Sequence, residues 1–223
     1  MVYVTGDFHG DMEKFHSKEM KKLKKGDYLI ICGDFGFIWD GSKTEQKHLK
    51  KIGKLKYNVL FMEGTHDNLD LIKTYPEIDF MGAKARNISG NLMYLQRGSI
   101  YNIENKNIFV FGGGESDDID ERNEGVNWWR EELPTVEETE AAKAKLAEYR
   151  NVVDYILTHE CGGKMRDFIH IQTNFDETNN LHRFLDEVAK DCMYKVWYFG
   201  KHHLDKIVSQ KAVAVFDKVL LLK

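Results

Sequence analysis

The chain has 223 residues, of which 42% are hydrophobic, and this is enough to bury a substantial core in one domain, residues 1–223. Its formal charge of −4 gives no overall attraction to nucleic acid or to an anionic membrane. No apolar run approaches the length of a membrane span, and residues 1–8 lack the basic start and long apolar stretch of a signal peptide. We therefore expect a cytoplasmic protein with no membrane partner.

Three apolar, β-rich runs alternate with amphipathic segments in the first third of the chain. The predicted strands cover residues 1–5, 28–32 and 58–62. The predicted helices run from Asp11 to about Leu23, from a capping box at Ser42–Glu45 through Leu49, Ile52 and Leu55, and from Leu69 to Tyr75. This β-α-β-α-β order predicts strands that lie largely parallel, with helices on the outside.

The remaining two thirds of the chain predict hairpins, two helices and further strands. Residues 87–111 contain short apolar runs separated by Gly90-Asn91, Arg97-Gly98 and Glu104-Asn105, which predict hairpins. Beyond them we expect a helix from the capping box at Thr135–Glu138 to Tyr149, a strand over 153–158, a helix over 179–190, and strands near 195–200, 206–209, 212–216 and 219–222. The whole pattern predicts an α/β fold of two packed β-sheets flanked by helices.

Asp and His residues recur where the predicted strands end. They are Asp7 and His9, Asp34, His66 and Asp67, His159, and His202 and His203. Strand ends are where open α/β sheets build their sites, because the framework is rigid and the loops carry the chemistry. Carboxylate oxygen and imidazole nitrogen suit Mn, Fe or Zn. The sequence therefore predicts a metal site that several strand ends share.

The three cysteines, Cys32, Cys161 and Cys192, are odd in number, far apart and without a CxxC motif. We expect reduced thiols, buried or partly buried, rather than disulfide partners or zinc ligands.

These motifs, in this order, resemble those of the calcineurin-like metallophosphoesterase superfamily over nearly the whole chain. The matching motifs are GDFHGD at residues 6–11, GD at 33–34, GTHD at 64–67, the strand-end His159 and GKHH at 200–203. The resemblance implies a four-layer α/β/β/α sandwich, in which two mixed sheets pack face to face with helices outside. It also implies a metal-dependent phosphodiesterase or phosphatase that attacks its phosphoester with a metal-bound hydroxide.

The resemblance also implies roles for the matching residues. The expected ligands of a first divalent ion are Asp7, His9, Asp34 and His203. Asp34 would bridge to a second ion, which His159 would also ligate. His66 would stabilise or protonate the leaving oxygen, and Asp67 would hold its ring.

Two positions depart from the family pattern around the second metal ion. Thr65 stands where the family motif has an Asn ligand, and Lys201 stands where the late motif has a His. A protonated lysine has no lone pair and repels a nearby cation. We expect one firmly bound ion and a weak or missing second one, with Lys201 and Thr65 contacting the phosphate instead. His202 would replace the lost ligand only through a bulge or turn, because in an extended segment it points away from His203.

Two functions remain open from the sequence. The first is a phosphoester hydrolase that uses Mn, with Fe, Zn and Ni as alternatives, and takes a nucleotide or nucleic acid among other candidate substrates. The second is a degenerate relative that binds a nucleotide or a protein partner without turnover. The chemical class of the ester and the oligomeric state stay undetermined at this level.

Aromatic and acidic side chains cluster in the segment that follows Gly112-Gly113-Gly114. Trp128 and Trp129 either stack on a base or sugar, or fasten this segment to the body of the protein. Asp117, Asp118 and Asp120 lack the spacing of an EF-hand loop, which favours a solvated loop over a calcium site.

Overall fold

The computed structural model describes residues 1–116, 118–169 and 179–222, so Asp117 lies outside the described residues. The first strands are β1 (Val2–Thr5), β2 (Tyr28–Ile31), β3 (Asn58–Phe61), β4 (Glu77–Phe80), β5 (Ala83–Ser89) and β6 (Leu92–Leu95). The later strands are β7 (Ser99–Ile103), β8 (Lys106–Phe111), β9 (Tyr155–Thr158), β10 (Val196–Phe199), β11 (Lys206–Ser209), β12 (Ala212–Ala214) and β13 (Leu220–Leu221).

These strands form two mixed sheets with parallel centres. The first sheet has the order β13-β1-β2-β3-β6-β5-β4, and its members β1, β2, β3 and β6 are parallel. The second has the order β11-β12-β10-β9-β8-β7, and its members β12, β10, β9 and β8 are parallel. Antiparallel strands close both edges of each sheet. The predicted α/β fold with two packed sheets is confirmed.

Helices cover the outer faces of both sheets. They are α1 (Lys18–Lys22), α2 (Lys43–Ile52), α3 (Leu69–Thr74), α4 (Val136–Glu148), α5 (Gly163–Ile169) and α6 (Asn180–Asp191), with short 3-10 turns at Met12–His16, Ile119–Glu121 and Arg130–Glu132. Three apolar cores separate the layers. One lies between the first sheet and its helices, one between the two sheets, and one between the second sheet and helices α4 and α6. This is the α/β/β/α order of layers.

The predicted helix from Asp11 to Leu23 divides into two pieces. A 3-10 turn ends before Ser17, whose side chain accepts the Met20 N–H and starts α1. Ser hydroxyls compete with helical hydrogen bonds, so a Ser in mid-segment is a natural place for the break. Helix α2 begins at Ser42 as expected, but the Glu45 carboxylate accepts from the Trp39 and Gly41 N–H groups instead of completing a capping box.

The turn at Arg97-Gly98 is not a hairpin turn, contrary to the sequence prediction. Strands β6 and β7 lie in different sheets, and the chain crosses from one sheet to the other at this point. The turns at Gly90-Asn91 and Glu104-Asn105 do connect antiparallel neighbours. Strand β4 and helix α5 were not predicted. The capping box of α4 at Thr135 and Glu138 is present as expected.

Within the described residues, no helix combines the length and the apolar character needed to cross a bilayer.

Candidate metal centre

The candidate centre lies at the carboxyl ends of the central parallel strands of both sheets. Loops that follow β1, β2 and β3 approach it from the first sheet, and loops that follow β8, β9 and β10 approach it from the second. Parallel strands deliver their carboxyl ends to one edge of a sheet, so two sheets packed face to face bring six such loops together.

Four of the predicted ligands come together at this edge. The potential ligand atoms of Asp7, His9, Asp34 and His203 all lie within 4.8 Å of one another. The Nε2 atoms of His9 and His203 are 2.9 Å apart, and His203 Nε2 is 3.4 Å from Asp7 Oδ2. His9 Nε2 lies 3.7 Å from Asp34 Oδ2. Two carboxylates and two imidazoles at this spacing match the donor set of a divalent ion.

The hydrogen-bonding state of these side chains is compatible with a bound cation. Asp7 Oδ2 and His159 Nε2 are buried and have no hydrogen-bond partner among the described residues. An unsatisfied buried acceptor costs about 1–3 kcal/mol, and a cation placed beside these atoms would remove that cost. The close approach of the His9 and His203 Nε2 atoms is also favourable when both point their lone pairs at one ion.

Four residues around the centre have left-handed backbone conformations. His9, Asp34, Lys201 and His203 have φ angles of 49°, 43°, 61° and 50°. Left-handed conformations are uncommon for residues other than Gly and concentrate at functional sites. Gly64 makes room for the cluster, because a Cβ atom at this position would lie 2.1 Å from Asp34 Oδ1.

His159 approaches the centre from β9 with its ring orientation determined by the backbone. Its Nδ1 is 3.0 Å from the carbonyl oxygen of Cys32, which only accepts, so Nδ1 donates, and in the neutral ring Nε2 carries the lone pair. Nε2 lies 3.4 Å from Asp34 Oδ1. Burial lowers the pKa of His159, but the charges of Asp34 and Asp7 prevail and raise it to about 9. The same charges attract a divalent ion, which would compete with that proton.

Asp34 is the central acceptor of the cluster. Its Oδ1 accepts the backbone N–H groups of Thr65 (2.6 Å) and His66 (2.8 Å), and its Oδ2 accepts from His66 Nδ1 at 2.9 Å. Burial opposes ionisation, but the charge of His159 and the hydrogen bond from His66 hold the pKa of Asp34 well below its usual range. That hydrogen bond in turn raises the pKa of His66, against the effect of burial.

A family model of calcineurin-like phosphoesterases matches residues 1–210 of the chain. The chain belongs to this family. A search of curated proteins found no significant match. The family and the Asp7, His9, Asp34 and His203 cluster together support a metal-dependent phosphoesterase in general terms.

Asp67 does not hold the ring of His66, contrary to the expectation from other calcineurin-like phosphoesterases. Its carboxylate accepts the backbone N–H groups of Phe35, Gly36 and Gly64 at 3.2, 2.8 and 2.9 Å. Burial and the charge of Asp34 raise the pKa of Asp67 to about 7. The side chain is fully buried, so it satisfies the loop backbones beneath the centre, while Asp34 holds the His66 ring.

Lys201 lies where the calcineurin-like pattern has a second-metal ligand. Its Cδ atom, Thr65 Cγ2 and His159 Cδ2 surround Gly114, each 3.2–3.5 Å from the position that a Gly114 Cβ atom would take. Its Nζ donates to the carbonyl oxygen of Glu115 at 2.6 Å. The Thr65 hydroxyl is 3.5 Å from Asp34 Oδ1 and 3.3 Å from His66 Nδ1. A cationic side chain and a hydroxyl thus stand beside Asp34 and His159.

His202 faces another group of side chains. Its Nε2 lies 3.2 Å from Glu160 Oε1 and 3.4 Å from Cys161 Sγ. The segment is not extended, since Lys201 and His203 both have positive φ angles. Nevertheless, His202 and His203 point to different surroundings, as the sequence suggested.

Arg122 is a residue of the site that the sequence did not reveal. It comes from the acidic segment after β8, and its Nη2 donates to His66 Nε2 at 3.2 Å. Its Nη1 donates to the carbonyl oxygens of Thr65 and Asn127, and its Nε donates to Asp118 at 2.7 Å. One Arg in a run of charged loop residues carries no pattern that would have identified it.

Trp129 fastens the same segment to the body of the protein. It is buried, its Nε1 donates to Asp70 Oδ2 at 3.1 Å, and its ring packs edge-on against Trp39 at 5.2 Å. Of the two alternatives from the sequence, this geometry favours an anchoring role for Trp129.

Proposed function

We propose that this protein hydrolyses phosphoesters with a divalent ion held by Asp7, His9, Asp34 and His203. The observation that carries this proposal is the convergence of these four ligands within 4.8 Å, among them Asp7 Oδ2, which has no hydrogen-bond partner in the described part of the chain. Oxygen and nitrogen donors favour Mn²⁺, although Fe, Zn and Ni bind similar sets. Membership of the calcineurin-like family supports a phosphoester as the substrate. We also propose that the protein is located in the cytoplasm and that residues 1–223 form one domain.

When bound, the ion would supply positive charge for phosphate oxygens and lower the pKa of a water molecule. The chain's own residues orient and protonate the substrate. His66 Nδ1 donates to Asp34, so Nε2 is the atom available to give a proton to the leaving oxygen. For that step Nε2 must carry a proton, and Arg122, which donates to Nε2, must then find another acceptor. A phosphate oxygen offers that acceptor, so Arg122 would turn from His66 to the substrate.

Lys201 and Thr65 complete the proposed phosphate site. The Lys201 side chain stands beside His159 and Thr65, where a second ion would have supplied charge. We propose that its ammonium group holds a phosphate oxygen in place of that ion, as a point charge, and that the Thr65 hydroxyl donates to the phosphate. His159 would remain as a weak ligand for a second ion. One tightly bound ion at the Asp and His centre follows from this arrangement.

The position of Lys201 also favours a second candidate function. A site that has lost its second ion could bind a nucleotide or a protein partner without turnover. In that case the same residues would bind a phosphate group but would not cleave the ester.

The test is hydrolysis of bis(p-nitrophenyl) phosphate and p-nitrophenyl phosphate with Mn²⁺ or with EDTA. We expect Mn²⁺-dependent turnover that Asp34→Asn reduces by more than about 100-fold, because it changes a direct ligand rather than a supporting residue. Asp191→Asn, at the exposed end of α6, is the matched control and should keep full activity.

Mn²⁺ binding, measured by calorimetry on the same variants, separates the two candidates. Mn²⁺ binding without turnover of either ester would favour the binding function. Equal turnover by the wild type and Asp34→Asn would refute the assignment of the centre.

A further inference from the structure

A second cluster of possible metal ligands lies beside the candidate centre. Glu160 and Cys161 follow β9, and His202 follows β10. Their ligand atoms all lie within 4.8 Å of one another. His202 Nε2 is 3.2 Å from Glu160 Oε1 and 3.4 Å from Cys161 Sγ. All three side chains are almost completely buried, with 1%, 0% and 6% of each exposed.

The two oxygens of Glu160 face different partners. Oε1 accepts the Cys161 backbone N–H at 2.9 Å and is the oxygen nearest His202. Oε2 faces His182 Nε2 at 3.5 Å and Lys201 Nζ at 4.0 Å. Both oxygens therefore hold the carboxylate in place, and Oε1 is the one that faces the imidazole of His202.

His182 supports the carboxylate rather than acting as a ligand. Its Nδ1 accepts the Asn179 backbone N–H at 3.3 Å, so in the neutral ring Nε2 carries the proton, and this atom lies 3.5 Å from both Glu160 Oε2 and Arg166 Nη1. Hydrogen bonds of this kind orient ligating carboxylates in metal sites. The ring of His202 packs edge-on against Phe199 at 5.8 Å, which restricts its orientation too.

The two distances from His202 Nε2 are close to those on one face of a tetrahedral site. Metal–ligand bonds of about 2.0–2.3 Å place neighbouring ligands of a tetrahedral Zn²⁺ ion about 3.3–3.8 Å apart. The observed separation of 3.4 Å between His202 Nε2 and Cys161 Sγ lies within this range, and that of 3.2 Å between His202 Nε2 and Glu160 Oε1 lies just below it. A sulfur, a nitrogen and an oxygen donor together suit a borderline-soft ion such as Zn²⁺ or Co²⁺ better than Mn²⁺ or Mg²⁺.

We propose that Glu160, Cys161 and His202 bind a Zn²⁺-type ion, separate from the ion of the candidate centre. A carboxylate and a thiolate would balance its two charges. The ion would join the loop after β9, which carries His159, to the loop after β10, which carries His203. Cys161 then serves as a metal ligand, which its distance from the other cysteines in the sequence did not suggest.

Co²⁺ titration of the EDTA-treated full-length chain tests this site, because cobalt bound to a thiolate gives a sulfur-to-metal absorption band in the near ultraviolet. We expect the band in the wild type and in the control Cys192→Ser. Cys161→Ser should abolish it and should leave the visible bands of cobalt at the Asp and His centre. His202→Gln, a second variant, should weaken Co²⁺ binding at the thiolate site by at least about 10-fold.

Either of two results would overturn the proposal. One is cobalt bound to saturation in the wild type with no near-ultraviolet band. The other is a band that persists in folded Cys161→Ser, since another thiol would then be the ligand. The readout does not depend on hydrolysis, so it is independent of the proposed function.

Discussion

Lys201 is the residue at which this chain departs most clearly from a two-metal phosphoesterase. An ammonium group has three donors and no lone pair, so it supplies charge to a phosphate but cannot ligate an ion. His159 and Asp34, the two residues that the family resemblance assigns to a second ion, remain beside it, with His159 Nε2 3.4 Å from Asp34 Oδ1. We therefore propose that the ability to bind a second ion depends on the side chains at positions 65 and 201.

Replacing Lys201 by His should create binding for a second Mn²⁺ ion. The position has a φ of 61°, a region in which His is several-fold enriched among residues other than Gly, so the backbone should tolerate the change. The double variant Thr65→Asn/Lys201→His should bind the second ion more tightly than Lys201→His alone. The measurements are the number of Mn²⁺ ions bound per chain and the electron paramagnetic resonance spectrum, in which a pair of manganese ions gives an exchange-coupled signal.

Lys195→His is the matched control, because Lys195 is exposed, pairs with Asp154 and precedes the same strand β10. It should bind one Mn²⁺ ion, like the wild type. If the double variant also bound only one, the assignment of the second-metal region to Lys201 and Thr65 would be wrong.

At the scale of elements, the segment between β8 and α4 brings Arg122 to the centre without regular secondary structure. Its end is fastened by Glu132, which is 1% exposed and accepts from Ser116 Oγ at 2.5 Å and from the Trp129 N–H at 3.4 Å. Burial raises the pKa of Glu132 to about 7, and these hydrogen bonds oppose the shift. The carboxyl group is therefore most compatible with the fold when it is protonated.

This pKa predicts a loss of stability as the pH rises. The unfolded chain binds the Glu132 proton with a pKa of about 4.3, below the folded value, so the folded state holds more protons between the two. The stabilisation is complete below about pH 4.3 and is lost as the pH rises through about 7. The wild type loses this stabilisation as the pH rises, and Glu132→Gln does not. The unfolding free energy of the variant minus that of the wild type should therefore increase by on the order of 2–4 kcal/mol between pH 5 and pH 8.

Urea unfolding at several pH values measures this difference. Glu131→Gln is the control, because Glu131 is exposed and pairs with Lys73, and its difference from the wild type should change little over the same range. A constant difference between Glu132→Gln and the wild type would show that Glu132 is not protonated in the folded protein.

At the scale of the whole molecule, the two sheets are joined where the chain crosses between them at Arg97. Arg97 Nε donates to Glu63 Oε1 at 2.5 Å, and Tyr94 donates to Glu63 Oε2 at 2.8 Å. Glu63 follows β3 in the first sheet, and its side chain is fully buried. Arg97 also donates to the carbonyl oxygen of Glu131, so the same guanidinium holds the segment that carries Arg122.

Arg97→Met should cost about 3–5 kcal/mol in unfolding free energy, because it leaves the Glu63 carboxylate buried without its cation. The double variant Glu63→Gln/Arg97→Met should recover part of this loss, since the buried charge is then removed. Urea unfolding of the single and double variants is the measurement. Arg130→Met, which removes an exposed pair with Glu124, should cost no more than about 1 kcal/mol. A double variant less stable than Arg97→Met alone would argue against a buried charge as the cause.

Apolar runs, capping residues and polar strand ends were enough to predict the two sheets and most of the helices, and they named the Asp and His residues that lie together at the candidate centre. These features act over a few residues, so they can be recognised in the order of the chain. The departures at Thr65 and Lys201 were also visible there, because they stand within motifs of known spacing.

Partnerships between distant segments required the tertiary structure. The Arg97-Gly98 turn resembles a hairpin turn locally, but the packing of two sheets makes it a crossing. Three sets of contacts join segments 31 to 56 residues apart: Arg122 with His66, Asp67 with the backbone of Phe35 and Gly36, and Cys161 with His202. Such contacts depend on which loops the sheets bring to one edge, and no local pattern specifies that.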